Sequence, residues 1–364
     1  MTIREVILPE ERAKVVEFLA SFGLGYESNG EQTIYAEEND RIVGTVSSAG
    51  YVIKCLAVAQ DMQSENLAVT LVSEIIKRLA SADVFYYQVF TKPQYKPVFQ
   101  SLGFTPLVET DKVCFLEGGD GNINNELKAL ATRLTYNLDI DVSAQNDIAC
   151  VVLNGNPFTE GHLYLVEKAA SEHDYCVVFV LEEEGSMFTF KERNALAFLA
   201  CRPLKNVVVV PSTKYIVSRS TFPGYFLKTQ DETTRQYAKF DAMIFAQYFM
   251  PYLGISTRYV GTETVDYMQT YNQTLSEVLG DKLVLVERKK IDGQVVSAKH
   301  VRALLADGKI LEAAQLVPTD GIHPARPDVR CNGQRKKCLA RTKSCKRGNC
   351  ELCKFWNLQK PRTC

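Results

Sequence analysis

The stretch Ile148-Ala149-Cys150-Val151-Val152-Leu153-Asn154-Gly155-Asn156-Pro157-Phe158-Thr159-Glu160-Gly161-His162 decides the fold. Ile148 to Leu153 is a continuous apolar run, as a strand buried on both faces requires. It runs straight into a turn, and the helical pattern GHLYLVEKAASEHD follows. A glycine in such a turn lets the backbone approach a phosphate, because no Cβ stands in the way. The helix start adds unpaired N–H groups and the positive end of a dipole. An imidazole at His162 can hydrogen-bond a phosphate oxygen as charge develops on it, and Thr159 can donate a second bond. Taken alone, T-x-G-H is equally an ordinary helix cap with a surface histidine.

Downstream, the runs YCVVFVL, VVVVP, TRYVG and LVLVERK alternate with helical patterns such as KERNALAFLACR. Apolar strands alternating with helices indicate a parallel sheet covered on both faces. Its ligand belongs beyond the carboxyl ends of the strands. Near the end of this region Val296-Ser297-Ala298-Lys299-His300-Val301-Arg302 opens another helix, after a strand and an Asp292-Gly293 turn. Ser297 fits an N-cap. With Arg302 it also aims a hydroxyl, free amides and a guanidinium at one anion. Two such helix starts at opposite ends of one α/β domain form a nucleoside-triphosphate cradle.

Upstream, ILPEERAKVVEFLASFG reads as a helix with Val15, Val16, Leu19 and Phe22 on its apolar side. QTIYAEE, RIVGTVSSAG and YVIKCLAVA read as strands, LAVTLVSEIIKRLASA as a helix and VFYYQVFT as a strand. The polar run EGGDGNINNE (117–126) reads as a linker, with a bridging helix through 125–136. The expected organisation is a first domain over 1–118, a linker and bridging helix over 119–147, and a second domain over 148–319.

The 364 residues carry a formal net charge of -1. That total hides an asymmetry, because residues 320–364 hold 12 Lys/Arg against 3 Asp/Glu. The body is therefore acidic, which argues against a nucleic-acid partner. With 46% hydrophobic residues the body can bury real cores. No apolar run approaches the roughly 20 residues that a membrane span needs. The amino-terminal MTIREVILPEERAK lacks the apolar stretch of a signal peptide. Cys55, Cys114, Cys150, Cys176 and Cys201 lie mostly in apolar runs, as buried reduced thiols do. The expected location is cytoplasmic.

T-x-G-H after a strand, with the late Ser297-to-Arg302 helix start, resembles the HxGH nucleotidyltransferase superfamily. Four further strings narrow the match: Asn156-Pro157-Phe158-Thr159; KYIVSRSTFPGYFLK over 214–228; Val260-Gly261-Thr262-Glu263; and Tyr271-Asn272. Together they resemble the citrate lyase ligase family, over roughly residues 1–319. The resemblance implies an acid–thiol ligase. Acetate attacks ATP at the α-phosphate, giving acetyl-AMP and pyrophosphate. The thiol of the phosphoribosyl-dephospho-coenzyme-A arm on the citrate lyase acyl carrier subunit then takes the acetyl group. It also implies that Thr159 and His162 act on the triphosphate, with Asn156 and Gly161 beside them. Ser297 and Arg302 would hold the β,γ-phosphates, Gly261 and Glu263 would lie near the adenosine, and Mg²⁺ would sit mainly on phosphate oxygens. No residue is expected to ligate a metal. Arg219 and Lys228 are candidates for binding acetate, phosphate or the arm, and equally fit a solvated loop. Lys299 stands where the family usually has a small hydroxyl residue.

In the first domain, Gln63-Ser64-Glu65-Asn66-Leu67-Ala68 before a helix, and the later Leu102-Gly103-Phe104, resemble the GNAT-type N-acetyltransferase fold. Its Q-x-x-G-x-G/A loop binds the coenzyme A pyrophosphate, and here Asn66 takes the first glycine position. The expectation is a GNAT-like α+β domain that docks the carrier's arm or serves as scaffold, followed by a Rossmann-like parallel-sheet domain.

The basic, Cys-rich tail over 320–364 contains one C-x-x-C, Cys350 and Cys353, too little for a zinc site. An altered reading frame or a non-native, unfolded terminus accounts for it most simply. Two rivals stand beside the ligase expectation. One is another HxGH adenylyltransferase making a dinucleotide cofactor. The other is a non-enzymatic regulator that binds metal or nucleic acid through the tail.

Overall fold

A computed structural model describes residues 1–26, 31–142, 144, 146–183, 187–216, 222, 224–227, 229–262 and 266–318. The tail lies outside the described residues.

The amino-terminal half builds a seven-stranded sheet of order β1-β2-β3-β4-β5-β7-β6. Its strands are β1 (Thr2–Glu5), β2 (Glu31–Glu38), β3 (Arg41–Ala49), β4 (Val52–Val58), β5 (Tyr86–Thr91), β6 (Thr105–Glu109) and β7 (Cys114–Gly119). Helices α1 (Pro9–Ser21), α2 (Leu67–Ser81) and α3 (Lys96–Ser101) accompany them. On α2 the buried Leu67, Leu71, Val72, Ile75 and Leu79 recur at helical spacing and form one apolar face. On α1 the buried stripe is narrower than the sequence suggests: Val15 and Leu19 are buried, whereas Val16 is 41% exposed. Among the described residues of this sheet, β4 and β5 alone pair in parallel, at Val52↔Gln88 and Ile53↔Val89. Beyond that point the two strands part.

The carboxy-terminal half forms a five-stranded, all-parallel sheet of order β10-β9-β8-β11-β12. The strands are β8 (Ile148–Leu153), β9 (Tyr175–Val180), β10 (Val207–Pro211), β11 (Ile255–Gly261) and β12 (Leu283–Val286). The helices are α5 (Glu160–Glu172), α6 (Phe190–Cys201), α7 (Gln230–Ile244), α8 (Met250–Leu253), α9 (Asp266–Leu279), α10 (Ala298–Ala306) and α11 (Ile310–Ala314). A hairpin, β13 (Lys290–Ile291) and β14 (Gln294–Val295), turns at Asp292-Gly293, both with positive φ. The chain leaves the central β8 outward through β9 and β10, then returns to β11 and β12 on the other side. The order of strands therefore reverses between β8 and β11, which is where such sheets bind ligands. No helix among the described residues is long and apolar enough to cross a membrane.

The two sheets share one apolar core. Phe90 and Phe115 of the first pack with Tyr215, Phe222, Phe240 and Phe245 of the second half. Phe115 and Phe240 meet edge to face at 5.1 Å. Polar ties cross the same boundary: Tyr215 Oη donates to Glu117 Oε2, Thr110 Oγ1 to Gln236 Oε1 (2.7 Å) and Tyr248 Oη to the Leu107 carbonyl (3.1 Å).

The Gly/Asn-rich run over 117–126 is built into secondary structure. It completes β7 and, from Ile123, begins α4 (Ile123–Leu138), capped by the Asn122 side chain. Its glycines serve packing. A Cβ on Gly118 would lie 2.6 Å from the Phe104 ring, and one on Gly121 1.8 Å from the Tyr86 ring.

Candidate active site

Thr159 is the N-cap of α5, directly beyond the central strand. Its hydroxyl accepts the His162 N–H at 3.4 Å, and the Thr159 N–H donates to His162 Nδ1 at 3.0 Å. This reciprocal box satisfies two helix-start donors at once. It also fixes the imidazole. With Nδ1 accepting, the ring proton of the neutral histidine sits on Nε2. Burial and then the nearby Arg288 guanidinium push the His162 pKa down to about 4. The histidine is therefore neutral near pH 7, a hydrogen-bond donor rather than a cation. Thr159 itself is buried, with its hydroxyl committed to the cap.

Two helix starts converge here. A Cβ on Gly161 would lie 3.1 Å from the Val296 carbonyl, so glycine lets the first turn of α5 abut the chain entering α10. Ser297 caps α10, accepting the His300 N–H at 3.2 Å. Arg302 donates from Nη1 to the Asn156 carbonyl. The Asn156 side chain accepts the Phe188 N–H at 3.2 Å and so shapes the loop. Lys299 is exposed on the first turn of α10.

On the neighbouring strand, Gly261 ends β11. Its carbonyl accepts from Asn272 Nδ2 at 3.0 Å, and Thr262 N–H donates to the Val286 carbonyl at 2.8 Å. Asn272 extends from α9, which a buried charge pair holds in place. Arg258 Nη2 and Tyr271 Oη both donate to Asp241 Oδ2, at 2.7 and 2.6 Å. Both charged side chains are 2% exposed. These buried contacts link α7, β11 and α9.

The structure thus brings Asn156, Thr159, Gly161, His162, Ser297 and Arg302 together, with Gly261 on the adjoining strand. Arg219, Lys228 and Glu263 lie outside the described residues. Sequence reasoning missed Arg288, whose Nε donates to the Thr262 carbonyl at 2.8 Å. It also missed Lys289, paired with Glu160 at 2.8 Å. Their signal was position, because both lie within three residues of the carboxyl end of β12. The fully buried Arg193 was missed as well. Its guanidinium donates to the Asn154, Glu183 and Phe188 carbonyls. Nothing in its helix marks it out in the sequence.

The chain is an α/β protein in which a GNAT-type domain precedes a parallel-sheet domain. A family model described as the citrate lyase ligase C-terminal domain matches residues 148–323. One described as an acetyltransferase (GNAT) domain matches residues 10–115. The [citrate [pro-3S]-lyase] ligase of Klebsiella pneumoniae is 33% identical over 319 residues, spanning 84% of this chain and 90% of its own. That of Escherichia coli strain K12 is 31% identical over 326 residues, spanning 86% and 90%. The chain belongs to the citrate lyase ligase family. Among solved structures, Escherichia coli ElaA is 12% identical and matches 32% of this chain and 97% of its own at a TM-score of 0.28. An acetyltransferase of the GNAT family from Staphylococcus aureus Mu50 is 14% identical, matching 32% and 99% at 0.29.

Proposed function

We propose that the protein acetylates the thiol of the phosphoribosyl-dephospho-coenzyme-A arm on the citrate lyase acyl carrier subunit, in two steps. In the first, a carboxylate oxygen of acetate bonds to the α-phosphorus of ATP. The bond from that phosphorus to the bridging oxygen breaks, and pyrophosphate leaves with the electron pair. In the second, the arm's sulfur bonds to the acetyl carbon. AMP leaves with the electrons of the carbon–oxygen bond, and the thiol proton passes to solvent.

The observation that carries this reading is the convergence of two capped helix starts on one side of β8, with His162 neutral and its proton on Nε2. A neutral donor in a preorganised, partly buried site stabilises charge that develops on the α-phosphate. Thr159 positions that imidazole. Ser297, Arg302 and Arg288 supply hydroxyl and guanidinium groups for the remaining phosphate oxygens. Gly261 and Glu263 lie toward the adenosine in this reading, and Mg²⁺ enters on phosphate oxygens. Arg219 and Lys228 remain proposed contacts for acetate or the arm. The setting is cytoplasmic in this reading, in keeping with the buried cysteines of the body.

The first domain takes the carrier's arm in this reading. A cavity of about 360 Å³ opens where β4 and β5 part, lined by Leu56, Val58, Thr91, Tyr95 and Phe99, with Tyr225 and Phe226 from the second half. Parting strands leave main-chain groups available to an extended, amide-bearing chain. Asn66 holds the left-handed conformation (φ 55°) that the start of α2 requires.

The deciding assay is acetate-dependent exchange of labelled pyrophosphate into ATP. Exchange that ignores acetate defeats the ligase reading. Truncation after residue 319 should retain exchange, whereas the regulator reading requires the tail. Isotherms of the full chain with dephospho-coenzyme A test the docking role, which absence of binding at millimolar ligand would remove.

A further inference from the structure

The carboxyl ends of β8, β9 and β10 are hydrogen-bonded into one rim. Beyond β8, Asn154 donates from Nδ2 to Glu183, and Arg193 holds the carbonyls of both. Beyond β9, Glu182 N–H donates to Ser212 Oγ at 3.2 Å, and its carboxylate accepts the Thr213 N–H at 3.3 Å. The rim continues to Lys214, two strands from β8, or roughly 10 Å by ordinary strand spacing.

Three features set Lys214 apart. Thr213 before it sits at φ 72°, a conformation that a β-branched residue rarely adopts and that clusters at functional positions. The Lys214 carbonyl is tied to the first domain by Gln88 Nε2 at 3.0 Å. Its ammonium lies 5.2 Å from the centre of the Tyr51 ring and 5.1 Å from that of Tyr86, both in the first domain. Those rings pack 5.3 Å apart, and Tyr86 meets Tyr215 edge to face at 5.9 Å. Aromatic faces stabilise a cation without neutralising it. Glu182, on the same rim, points its bond at Thr213. Among the described residues no carboxylate lies within ion-pair distance of the Lys214 ammonium.

The distribution of charge around β8 adds to this. Arg288 and Lys289 lie just past β12, and Arg302 reaches the Asn156 carbonyl beyond β8. Lys214 lies past the end of β10, where the two domains meet. A single ammonium with aromatic walls suits one small anionic oxygen group and is too little for a polyphosphate.

We propose that Lys214, walled by Tyr51 and Tyr86, binds an anionic oxygen group of a co-substrate other than ATP. The first domain thereby completes the second domain's site. The inference rests on the acid-activation reading for its two sources of ligand, the carboxylate of the acid and a phosphate of the carrier's arm.

Amine labelling of the full chain tests it without relying on turnover. Modification of Lys214 by an acylating reagent is read by peptide mass spectrometry with acetate, with dephospho-coenzyme A or with ATP. Protection of about fivefold or more by acetate assigns the carboxylate, and by dephospho-coenzyme A the phosphate. Protection by neither, or by ATP alone, overturns the proposal whatever the exchange assay shows. Protection in a protein that shows no acetate-dependent exchange retains the site and defeats the reaction scheme. Kinetics supply a second arm. Lys214→Met should raise the half-saturating concentration of acetate or of the holo carrier about tenfold, the loss of one charge-assisted hydrogen bond. ATP saturation should stay unchanged, and Lys214→Arg should recover most of the loss. Equal effects on ATP would make Lys214 a structural residue only. Tyr51→Leu keeps the charge and removes one wall, so a smaller shift in the same co-substrate is expected if Lys214→Met does not fold.

Discussion

The starts of α2 and α5 invite comparison: α5 follows the parallel strand β8, whereas α2 follows β4 through a 3-10 turn at Gln60–Glu65. Their orphan amides are treated in opposite ways. At α5, Thr159 accepts the third amide and His162 closes the box, so the cap itself orients an imidazole. At α2, Asn66 sits left-handed and its side chain makes no capping bond. An open start can hold an anion through its dipole and amides. It supplies no side chain that can donate to a developing charge. Under the proposed function, the same helix-start device would serve a reacting site in one domain and a holding site in the other.

The largest test removes the reacting element. His162→Ala should lower acetate-dependent exchange by about 100-fold or more, the usual loss for one preorganised donor. ATP saturation should change little, because the amides and guanidiniums remain. An unchanged rate would place the chemistry elsewhere and erase the distinction between the two helix starts. Thr159→Ala comes next. It should cost about 1 kcal/mol of stability by loss of a cap, seen in denaturant melts. It should also slow exchange about tenfold by releasing the ring. A stability loss with full activity would show that the box holds the helix and not the chemistry.

Acid pH separates the neutral donor from a cationic one. The folded His162 pKa lies at about 4, below the roughly 6.5 of an unfolded histidine. Between those values the unfolded chain binds the proton and the native state does not. The histidine's contribution therefore favours unfolding increasingly as pH falls from about 6.5 toward 4. Exchange should show no break from His162 between about pH 5 and 8. A break near pH 6.5 that vanishes in His162→Gln would mean that the imidazolium is the working form.

How much of this was visible in the sequence follows from the range of each interaction. The five parallel strands were legible because each is a short apolar run closed by polar residues. The paired helix starts were legible because caps act within one turn. Arg288 and Lys289 became meaningful only once β12 was seen to end beside β11. Lys214 was legible as part of a string, but its ring partners Tyr51 and Tyr86 are far away in sequence. The packing role of the glycines over 117–126 was not legible, because glycine admits two causes. Loop freedom and room for an aromatic ring look the same in one dimension, and here Phe104 and Tyr86 supply the second.

The smallest expected effect lies at the holding site. Asn66 already adopts the left-handed conformation, so Asn66→Gly should change stability by no more than about 0.5 kcal/mol. Removing the side chain widens the approach to the first amides of α2. If the open start binds a pyrophosphate, dephospho-coenzyme A should bind a few-fold more tightly by calorimetry, while exchange, which needs no arm, stays as it was. Asn66→Asp makes the opposite change, placing a negative charge where the phosphates would sit, and should weaken the same ligand. If neither variant moves that affinity, α2 holds no anion, and the two helix starts differ more deeply than in the presence of one imidazole.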